Sequence, residues 1–569
     1  MPTFAAIDIG SNSCRLKIAR VVSHQLRTIH EDREVTRLGT SVFESGLISP
    51  ESMAATLRTL KRFQRAVQLH GAERIRVVAT SAVRDARNAD AFQAWVKAET
   101  GWNMETISGL EEGRLIHLGV TGLEPGTGGR LVLVDLGGGS CEITLSEHKR
   151  IKETVSLPMG AVRLTEEFLQ ADPPTADGLA QMRKYIEREL RQAHKKLHLE
   201  DVGLVIATSG TAAALADAIW FMGEAESGRR GKVAGKPAKK AGKKSSGKSA
   251  GKLVAPPRRA MKVTALSPAP LGQPGTAPTI DPATVAHTEM GGISPARRVR
   301  KLASRLAQMS LAERVMIPGI GPRRAEIIVA GAQVYALLLE SFELAGFRYS
   351  PLGLRDGILI QMLAEQDARA TAHREFEHVR WQSILDTAKR YGVDLRQAEA
   401  VRNHTLQLFR ELKPLHQLPP EYEAWLAAAA MLCDTGKFIN HQGHHRHTQY
   451  IISSSELYGY TRLQRTVISA IARYLGKSRP QPGDRALRNI PPSEHPYVHR
   501  AVALLRLGVA LNQDRASDVL RVSTRIYPKR VHLVLQRGRT GAEMELWSAR
   551  KEADYFRETF GRELFPTLA

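Results

Sequence analysis

The sequence contains one short turn motif twice, and both copies follow an apolar segment that ends in aspartate. The first copy, D-I-G-S-N-S-C, starts at Asp8, and the second, D-L-G-G-G-S-C, starts at Asp135. The backbone N–H groups of such turns can converge on an oxyanion. Glycine lets the backbone come close to the ligand because it has no side chain. Two copies that face each other would hold a chain of phosphates between them.

Residues of these turns and of a third loop are candidate phosphate ligands. The third loop, A-T-S-G-T, follows the apolar segment GLVIA and opens a predicted helix, whose positive N-terminus favours an anion. The candidates are Ser11, Asn12, Ser13, Gly137, Gly138, Gly139, Ser140, Ser209, Gly210 and Thr211. Arg84 could add a planar, bidentate contact. A single turn is equally typical of a surface hairpin, and the third loop alone is more often an N-cap, so the prediction depends on the repetition.

Strands alternate with helices around both turns, which predicts an α/β fold. FAAIDIG and CRLKIARVV have the character of strands, and residues 51–71 carry apolar side chains at three- and four-residue spacing, typical of an amphipathic helix. A comparable pattern restarts at LVLVDLGGGSCEITLSE. We therefore expect a duplicated core made of one domain over 1–125 and a second over 126–365.

The rest of the chain has a different pattern. Segments such as QSILDTAKRYG and YEAWLAAAAMLCD predict an all-helical domain over 370–492. A further helix, followed by the strand-like segments VLRVSTRIY and RVHLVLQRG, predicts a small α+β domain over 493–569.

The composition excludes a small single module and a fibrous or globally disordered protein. The chain has 569 residues, of which 43% are hydrophobic and 24% charged. No apolar run approaches the roughly 18 residues needed to cross a bilayer. The three cysteines and an N-terminus without the features of a signal peptide lead us to expect a cytoplasmic protein.

The positive charge is concentrated in one stretch. Residues 229–262 hold 13 Lys and Arg and no acid, so the formal net charge of +23 leaves +10 for the rest of the chain. With the proline-rich segment that follows, this stretch predicts a disordered basic insertion over about 225–290. Three roles are open for it: a tail that contacts nucleic acid nonspecifically, an arm that docks polyphosphate, or a solvated linker.

Several separated motifs together resemble one family. AAIDIGSNSCRLKIA, VVATSAVRDARN, ISGLEEGRLIHLGV, LVDLGGGSCEI, SLPMGAVRLTE and ATSGT occur in this order, and the set resembles the exopolyphosphatase/guanosine pentaphosphatase (Ppx/GppA) family over residues 4–225 and 295–365. The resemblance implies an actin-like, ribonuclease H-like two-domain core. FINHQGHHRHTQYII is similar to the helical, HD-like region of the longer exopolyphosphatases.

The resemblance also implies roles for individual residues. Of the two glutamates in ISGLEEGR, Glu112 is the better match for the general base that acts on water. Arg84 is the second catalytic candidate, as a contact to phosphate. Asp135 and Glu142 match family positions associated with magnesium or with positioning the water, and Asp8 is their partner in the first turn. Mg²⁺ suits such oxygen ligands and commonly bridges substrate phosphates. The larger family members further suggest a homodimer.

The expected activity is release of orthophosphate from the end of linear polyphosphate. The alternative is 5′-phosphate hydrolysis of guanosine pentaphosphate, which the core motifs do not separate from it. More remote alternatives are an actin-like ATPase or sugar kinase, and a protein that binds polyanions without catalysis.

Two other motifs suggest different functions. Residues 317–325, I-P-G-I-G-P-R-R-A, resemble a DNA-binding helix-hairpin-helix turn, although the family resemblance favours a segment of the second domain that flanks the cleft. The histidines at 441–447 suggest an HD-type metal site, but Cys433 stands where its histidine is expected, which favours a degenerate HD-like scaffold. Two roles stay open for these histidines: binding a metal or, with Arg446, lining a polyphosphate path.

Overall fold

The computed structural model describes residues 1–233, 292–476, 478–515, 520–537 and 541–569. The predicted basic insertion therefore lies outside the described residues from position 234 onward. Its first part, residues 225–233, is helical, because helix α8 (Ser209–Val233) continues through it.

The first lobe is a five-stranded sheet with helices on both faces. Strand β1 is buried along its whole length, as its nearly continuous apolar sequence TFAAIDI favours. The strands are β1 (Thr3–Ile9), β2 (Ser13–Val22), β3 (Gln25–Val35), β4 (Arg74–Ala79) and β5 (Met104–Thr106), in the order β3-β2-β1-β4-β5. The helices are α1 (Val42–Ser45), α2 (Pro50–Leu69), α3 (Ser81–Asp85), α4 (Ala89–Thr100) and α5 (Gly109–Leu123).

The second lobe repeats this topology. Its strands are β6 (Leu131–Leu136), β7 (Cys141–Glu147), β8 (Arg150–Leu157), β9 (Leu204–Thr208), β10 (Ile293–Pro295) and β11 (Gly346–Tyr349), in the order β8-β7-β6-β9-β11-β10. Strands β1 and β6 each pair antiparallel with the next strand and parallel with the strand that follows the crossover, β4 or β9. The predicted duplication of an α/β unit is thereby confirmed.

Seven helices accompany the second sheet along the described chain. They are α6 (Ala161–Phe168), α7 (Ala176–His194), α8, α9 (Ala296–Leu306), α10 (Leu311–Val315), α11 (Ile328–Ser341) and α12 (Leu354–Gln366). The last of them packs mainly on the first sheet, where its Ile358, Leu359 and Met362 join Phe4 and Ala6 in one cluster. Its Leu354 also contacts a cluster that holds Leu131 and Leu133 of β6. Helix α5 in turn contacts β7 and β8, so α5 and α12 lie between the two lobes.

The helical region contains seven α-helices and two 3₁₀ turns among its described residues. They are α13 (Thr371–Arg390), α14 (Leu395–Glu411), α15 (Lys413–His416), α16 (Tyr422–Leu432), a 3₁₀ turn (Thr435–Phe438), α17 (His444–Ser454), α18 (Arg462–Arg473), a second 3₁₀ turn (Pro492–Glu494) and α19 (His495–Ala510). This region contacts the first lobe, where the Ser108 hydroxyl donates to Glu456 Oε2 at 2.9 Å. Its relation to HD proteins stays a prediction.

The chain ends in a three-stranded sheet with two helices. The elements are β12 (Arg521–Ile526), β13 (Arg530–Gln536), α20 (Glu543–Lys551), α21 (Ala553–Phe560) and β14 (Glu563–Leu568), with sheet order β12-β13-β14. One hydrophobic cluster runs from Ile384 in α13 to Leu564 in β14. The two units predicted over 370–492 and 493–569 therefore share a core. Among the described helices, none combines the length and apolar character that a bilayer crossing requires.

Candidate active site

The two copies of the turn motif adopt the same local structure. In the first, Gly10 N–H donates to the Ser13 carbonyl at 3.1 Å, and in the second, Gly137 N–H donates to the Ser140 carbonyl at 3.0 Å. Each turn joins two antiparallel strands of its own lobe. The sequence repeat is thus a repeat of backbone geometry.

The two turns meet across the gap between the lobes. A Cβ atom added to Gly138 would lie 2.9 Å from Ser11 Cβ and 3.2 Å from Asn12 N, so only glycine permits this approach. The Ser11 hydroxyl is 2.9 Å from the Ser81 hydroxyl, and a Cβ atom at Gly139 would overlap Ser81. The predicted phosphate-binding residues of the two lobes are thereby brought together.

Three carboxylates from three elements converge beside these turns. Asp135 near the end of β6 is directly opposite Glu142 at the start of β7, and Glu112 reaches the same place from the first turn of α5. One oxygen from each lies within 4.8 Å of the others, and no other such group of metal-ligating side chains occurs in the part of the chain that the structure describes.

The carboxylates hold their protons more tightly than free carboxylates do. Burial, followed by the charges of Glu142, Asp135 and Asp8, raises the pKa of Glu112 well above its usual value, although nearby Arg84 opposes this. Burial and the charge of Asp135 raise the pKa of Glu142 to about 7. Burial also raises the pKa of Asp135. A cation between the three groups would relieve this repulsion.

The three carboxylates fit a small divalent cation. Glu112 Oε2 and Glu142 Oε2 are both buried without a hydrogen-bond partner, whereas Glu142 Oε1 accepts from the Ser156 hydroxyl at 2.8 Å. Asp135 accepts a hydrogen bond from Thr208, which fixes its orientation. Oriented carboxylates with unused oxygens are the donor set that Mg²⁺ prefers, together with waters and substrate phosphates.

Asp8 was predicted to belong to the metal set, but it lies outside the group of three. Its pKa is raised by burial and by Asp135, and lowered by the guanidinium groups of Arg15 and Arg355. Asp8 is therefore close to the three carboxylates, but the charges with the largest effect on its pKa are those of the two arginines. Glu112, which the sequence suggested only as a base, takes the third place in the group.

The structure separates the two adjacent glutamates of α5. Glu111 accepts two hydrogen bonds from Arg114, both at 2.8 Å, and this buried pair is extended by Gln361. Glu112 has no such partner, since the closest cation is Arg84 Nη1 at 3.8 Å from its Oε2. Only Glu112 is thus available to a ligand in the cleft.

Arg84 lies at the edge of the carboxylate group. Its Nη1 donates to the Ile107 carbonyl at 2.9 Å, which holds the guanidinium near Glu112. About a quarter of its side chain is exposed, so it can still meet a ligand from the cleft.

The third predicted loop has a special backbone. Ser209 adopts a left-handed conformation with φ 74°, and its hydroxyl donates to the Leu136 carbonyl at 2.7 Å. The guanidinium of Arg324 covers Gly210, where a Cβ atom would overlap it. Thr211 is buried with its methyl group against Gly331, so its side chain packs in the lobe and only its backbone could meet a phosphate.

A group of arginines lines the same cleft, and none of them is among the candidate ligands chosen from the sequence. Arg15 in β2 is directly opposite Arg33 in β3, an arrangement of like charges that is unfavourable in a sheet. Burial and the charges of Arg15, Arg323 and Arg355 lower the pKa of Arg33 to about 9. Arg33 Nε, Arg33 Nη2 and Arg324 Nη2 are buried without partners. Such a cluster needs an anionic ligand to offset its repulsion.

Arg324 comes from the segment that resembles a DNA-binding turn. A Cβ atom at Gly319 would lie 2.8 Å from Ala218 N, so this turn is packed against α8 and is not presented outward. Burial, followed by the charges of Arg33 and Arg15, lowers the pKa of Arg324 well below its usual value. The segment flanks the cleft, as the family resemblance implied.

The histidines at 441–447 do not form part of the carboxylate group. Asp434 accepts from Lys437 at 2.6 Å and from Arg515 at 3.2 Å, and its Oδ1 is 3.8 Å from His444 Nε2. Burial and the nearby Arg473 lower the pKa of His445 to about 4. The surroundings of these histidines are therefore mainly cationic.

Comparison with known proteins matches both halves of the chain. The family model "Ppx/GppA phosphatase family" matches residues 17–247 and 229–366, and "Ppx/GppA phosphatase, domain III" matches residues 379–545. The chain belongs to the Ppx/GppA phosphatase family. Members of the Ppx/GppA family hydrolyse phosphoanhydride bonds of polyphosphate or guanosine pentaphosphate, and this chain is an enzyme of that class.

Individual Ppx/GppA relatives carry different names. A guanosine-5′-triphosphate,3′-diphosphate pyrophosphatase of Pseudoalteromonas atlantica is 28% identical over 477 residues, covering 82% of this chain and 78% of that one. Exopolyphosphatase 2 of Mycobacterium tuberculosis is 38% identical over 216 residues, covering 36% and 67%. The crystal structure of the Aquifex aeolicus Ppx/GppA family member is 28% identical, covers 64% of this chain and 99% of that one, and has a TM-score of 0.46.

Proposed function

We propose that this enzyme is a magnesium-dependent exopolyphosphatase, which removes the terminal phosphate of linear polyphosphate. The observation that carries the proposal is the position of unpartnered acids beside unpartnered arginines. Glu112 and Glu142 have buried oxygens without partners, and Arg33 and Arg324 have buried N–H groups without partners. A substrate that presents several phosphates in series meets both needs at once.

The substrate binds with its terminal phosphate beside the carboxylates. The backbone N–H groups of the two turns, near Ser11 and Gly138, contact this phosphate. The next phosphates extend toward Arg15, Arg33 and Arg324, whose mutual repulsion they neutralise. Arg84, whose Nη1 is 3.8 Å from Glu112 Oε2, contacts the terminal phosphate beside that carboxylate.

Glu112 acts on the attacking water. Its carboxylate accepts a proton from the water as the new P–O bond forms at the terminal phosphorus and the anhydride P–O bond breaks. The products are orthophosphate and a chain that is one phosphate shorter. A base whose pKa is raised toward the working pH is suited to this step, and burial beside Glu142 raises the pKa of Glu112 in that direction.

Asp135 and Glu142 are the residues that would hold Mg²⁺ together with the substrate. The ion, when bound, neutralises charge on the phosphate oxygens. Thr208 and Ser156 orient the two carboxylates by their hydrogen bonds, the second at 2.8 Å.

Guanosine pentaphosphate is the second candidate substrate. The observation in its favour is coverage: the Pseudoalteromonas atlantica relative, whose name gives that activity, matches 82% of this chain, whereas the exopolyphosphatase relative matches 36%. The same acids and arginines would serve on a different leaving group.

The decisive comparison is phosphate release from the two substrates by the same enzyme preparation. We expect a higher kcat/KM for long-chain polyphosphate, and chain-length analysis should show loss of terminal units without internal cleavage. A higher kcat/KM for guanosine pentaphosphate would replace the proposal with the second candidate. Activity on neither substrate in the presence of Mg²⁺ would contradict both.

A further inference from the structure

The outward face of the C-terminal sheet carries a row of rings. Along β13 the residues alternate between buried and exposed, and His532 is on the outward side. The register places Arg525 on one side of His532 and Phe565 on the other. The His532 ring centroid is 4.9 Å from that of Tyr527 and 5.2 Å from that of Phe565.

The rings at the two ends of the row, Tyr527 and Phe565, are accessible. Phe565 is 50% exposed and Tyr527 is 40% exposed, while their neighbours Val531, Leu533 and Leu564 point into the core. His532 Nε2 has no hydrogen-bond partner although it is shielded from solvent. The exposed rings are not needed to fill the hydrophobic core, because the side chains on the opposite face of the sheet form it.

The same face is positively charged. Exposed Arg521 and Arg525 on β12 and Arg530 on β13 all point outward, and the three strands contain a single acid, Glu563. The Arg530 guanidinium is 5.7 Å from the centre of the Tyr527 ring. Cationic groups thus surround the row of rings and do not form a separate patch.

We propose that this face binds single-stranded nucleic acid. Exposed aromatic side chains on a sheet offer stacking surfaces to unpaired bases, and adjacent arginines contact the phosphates between them. A polyphosphate chain has the phosphates without bases, so it gains nothing from Tyr527, His532 and Phe565. The site is in a different domain from the catalytic carboxylates and is independent of the proposed hydrolysis.

Binding is measured with the full-length chain and two labelled probes of equal length, a 12-nucleotide oligouridylate and an abasic oligonucleotide with the same phosphates. The basic stretch at 229–262 attracts both probes through charge, so the ratio of the two affinities isolates the contribution of the bases. We expect the wild-type chain to bind the oligouridylate more tightly than the abasic probe.

Loss of a ring should remove this preference. Phe565→Ala is expected to weaken oligouridylate binding by about fivefold to 150-fold, the range measured for one stacked base, with little effect on the abasic probe. Phe565→Leu keeps an apolar strand residue without the ring and should behave in the same way, which separates stacking from misfolding. Tyr450→Ala removes a 68% exposed ring on α17 and should leave the ratio unchanged.

Loss of charge should have a different signature. Arg525→Gln and Arg530→Gln are expected to weaken the binding of both probes. Each should also reduce the slope of log affinity against log salt by about 0.7 for every phosphate that the variant no longer neutralises. Arg58→Gln, at an exposed position on α2, is the matched control and should change neither affinity nor slope. Phosphate release should be unchanged in all these variants.

Equal affinity for the two probes in the wild-type chain would overturn the proposal, because the bases would then contribute nothing. So would an unchanged ratio in both Phe565 variants. A third outcome is that the wild-type chain and Phe565→Ala both bind the two probes equally and sedimentation shows that Phe565→Ala dissociates a dimer. The face would then be an interface between copies of the chain, and the proposal would be wrong.

Discussion

Glu142 in β7 and Arg15 in β2 occupy equivalent positions in the two lobes, each in the strand that follows the repeated turn. Arg15 is directly opposite Asp8 in the β1–β2 pair, and Glu142 is directly opposite Asp135 in the β6–β7 pair. One lobe therefore presents a cation after its turn and the other presents an acid. Two copies of one structural unit thus produce a cleft with an acidic side and a basic side.

This difference makes the two sides of the cleft opposite in charge. In the proposed binding mode, a linear polyphosphate places its terminal phosphate near Glu112 and Asp135, and the rest of the chain extends toward Arg15 and Arg33. The carboxylates repel phosphates that lack a bound cation, and the arginines attract them. Under the proposed function, this arrangement favours attack at an end of the polyphosphate chain over attack within it.

Magnesium should stabilise the wild-type fold through the carboxylate group. A ligand at about 100 times its Kd adds about 2.7 kcal/mol to the free energy of unfolding. We expect saturating Mg²⁺ to raise the Tm of the wild-type chain, and this rise to be lost in Asp135→Asn and in Glu142→Gln. Thermal unfolding with and without Mg²⁺ measures it.

Asp8→Asn is the matched control for that experiment. Asp8 lies outside the group whose oxygens are within 4.8 Å of one another, so its variant should keep most of the response to Mg²⁺. A full response in Asp135→Asn would show that the ion binds elsewhere.

Arg33 should contribute to binding and not to stability. Its guanidinium lacks partners at Nε and Nη2 and faces Arg15 across the strands. We expect Arg33→Gln to raise the KM for polyphosphate about tenfold, equivalent to about 1.4 kcal/mol, while the free energy of unfolding stays level or increases. Steady-state kinetics and urea unfolding test the two parts separately.

The matched control for Arg33 is Arg58→Gln, at an exposed position on α2. It removes the same charge away from the cleft and should leave the KM unchanged. If Arg33→Gln instead lowers stability and leaves the KM unchanged, the guanidinium is a structural group.

Glu166 in α6 should make the contact between the lobes sensitive to pH. Its carboxylate lies beside Thr40 and Ser41 of the first lobe with Oε2 buried and without a hydrogen-bond partner, and burial raises its pKa to about 7. The folded protein then holds this proton more tightly than the unfolded chain, whose glutamate has a pKa of about 4.3. The resulting stabilisation is complete below about pH 4 and is lost as the pH rises through about 7.

Glu166→Gln removes the titrating group, so the difference in unfolding free energy between variant and wild type should change with pH. We expect the unfolding free energy of the variant to rise relative to that of the wild type between about pH 5 and pH 8, measured by urea unfolding at several pH values. A constant difference across this range would contradict the raised pKa.

The duplicated fold was predictable because its signals are local. The apolar strand that ends at Asp8, the turn after it and the repeat at Asp135 are all contiguous in the sequence. Strand β3 was not predicted, because its sequence QLRTIHEDREV is rich in charge and no residue of it is fully buried. Its Arg33 was missed for the same reason, although an arginine opposite another arginine is a signal once the register is known.

The sequence predicted which residues belong to the site better than it predicted which three carboxylates lie together. Sequence motifs pointed to Glu112, Asp135 and Glu142. They placed Asp8 in the metal-binding group, whereas the structure has Glu112 there, and this difference depends on where α5 docks. That docking is decided by glycines such as Gly113, where a Cβ atom would lie 2.8 Å from Thr154 of β8. Long-range contacts of this kind are not visible in one sequence.

The most direct test of the account compares Glu112→Gln with Glu111→Gln in orthophosphate release from long-chain polyphosphate with Mg²⁺ present. We expect Glu112→Gln to lose between about 10² and 10⁴ in kcat while it still binds polyphosphate and unfolds at or above the wild-type temperature. Glu111→Gln, which weakens the buried pair with Arg114, should lose stability but keep kcat within a few-fold. Near-normal turnover by Glu112→Gln would contradict the central claim that this carboxylate acts on the hydrolytic water.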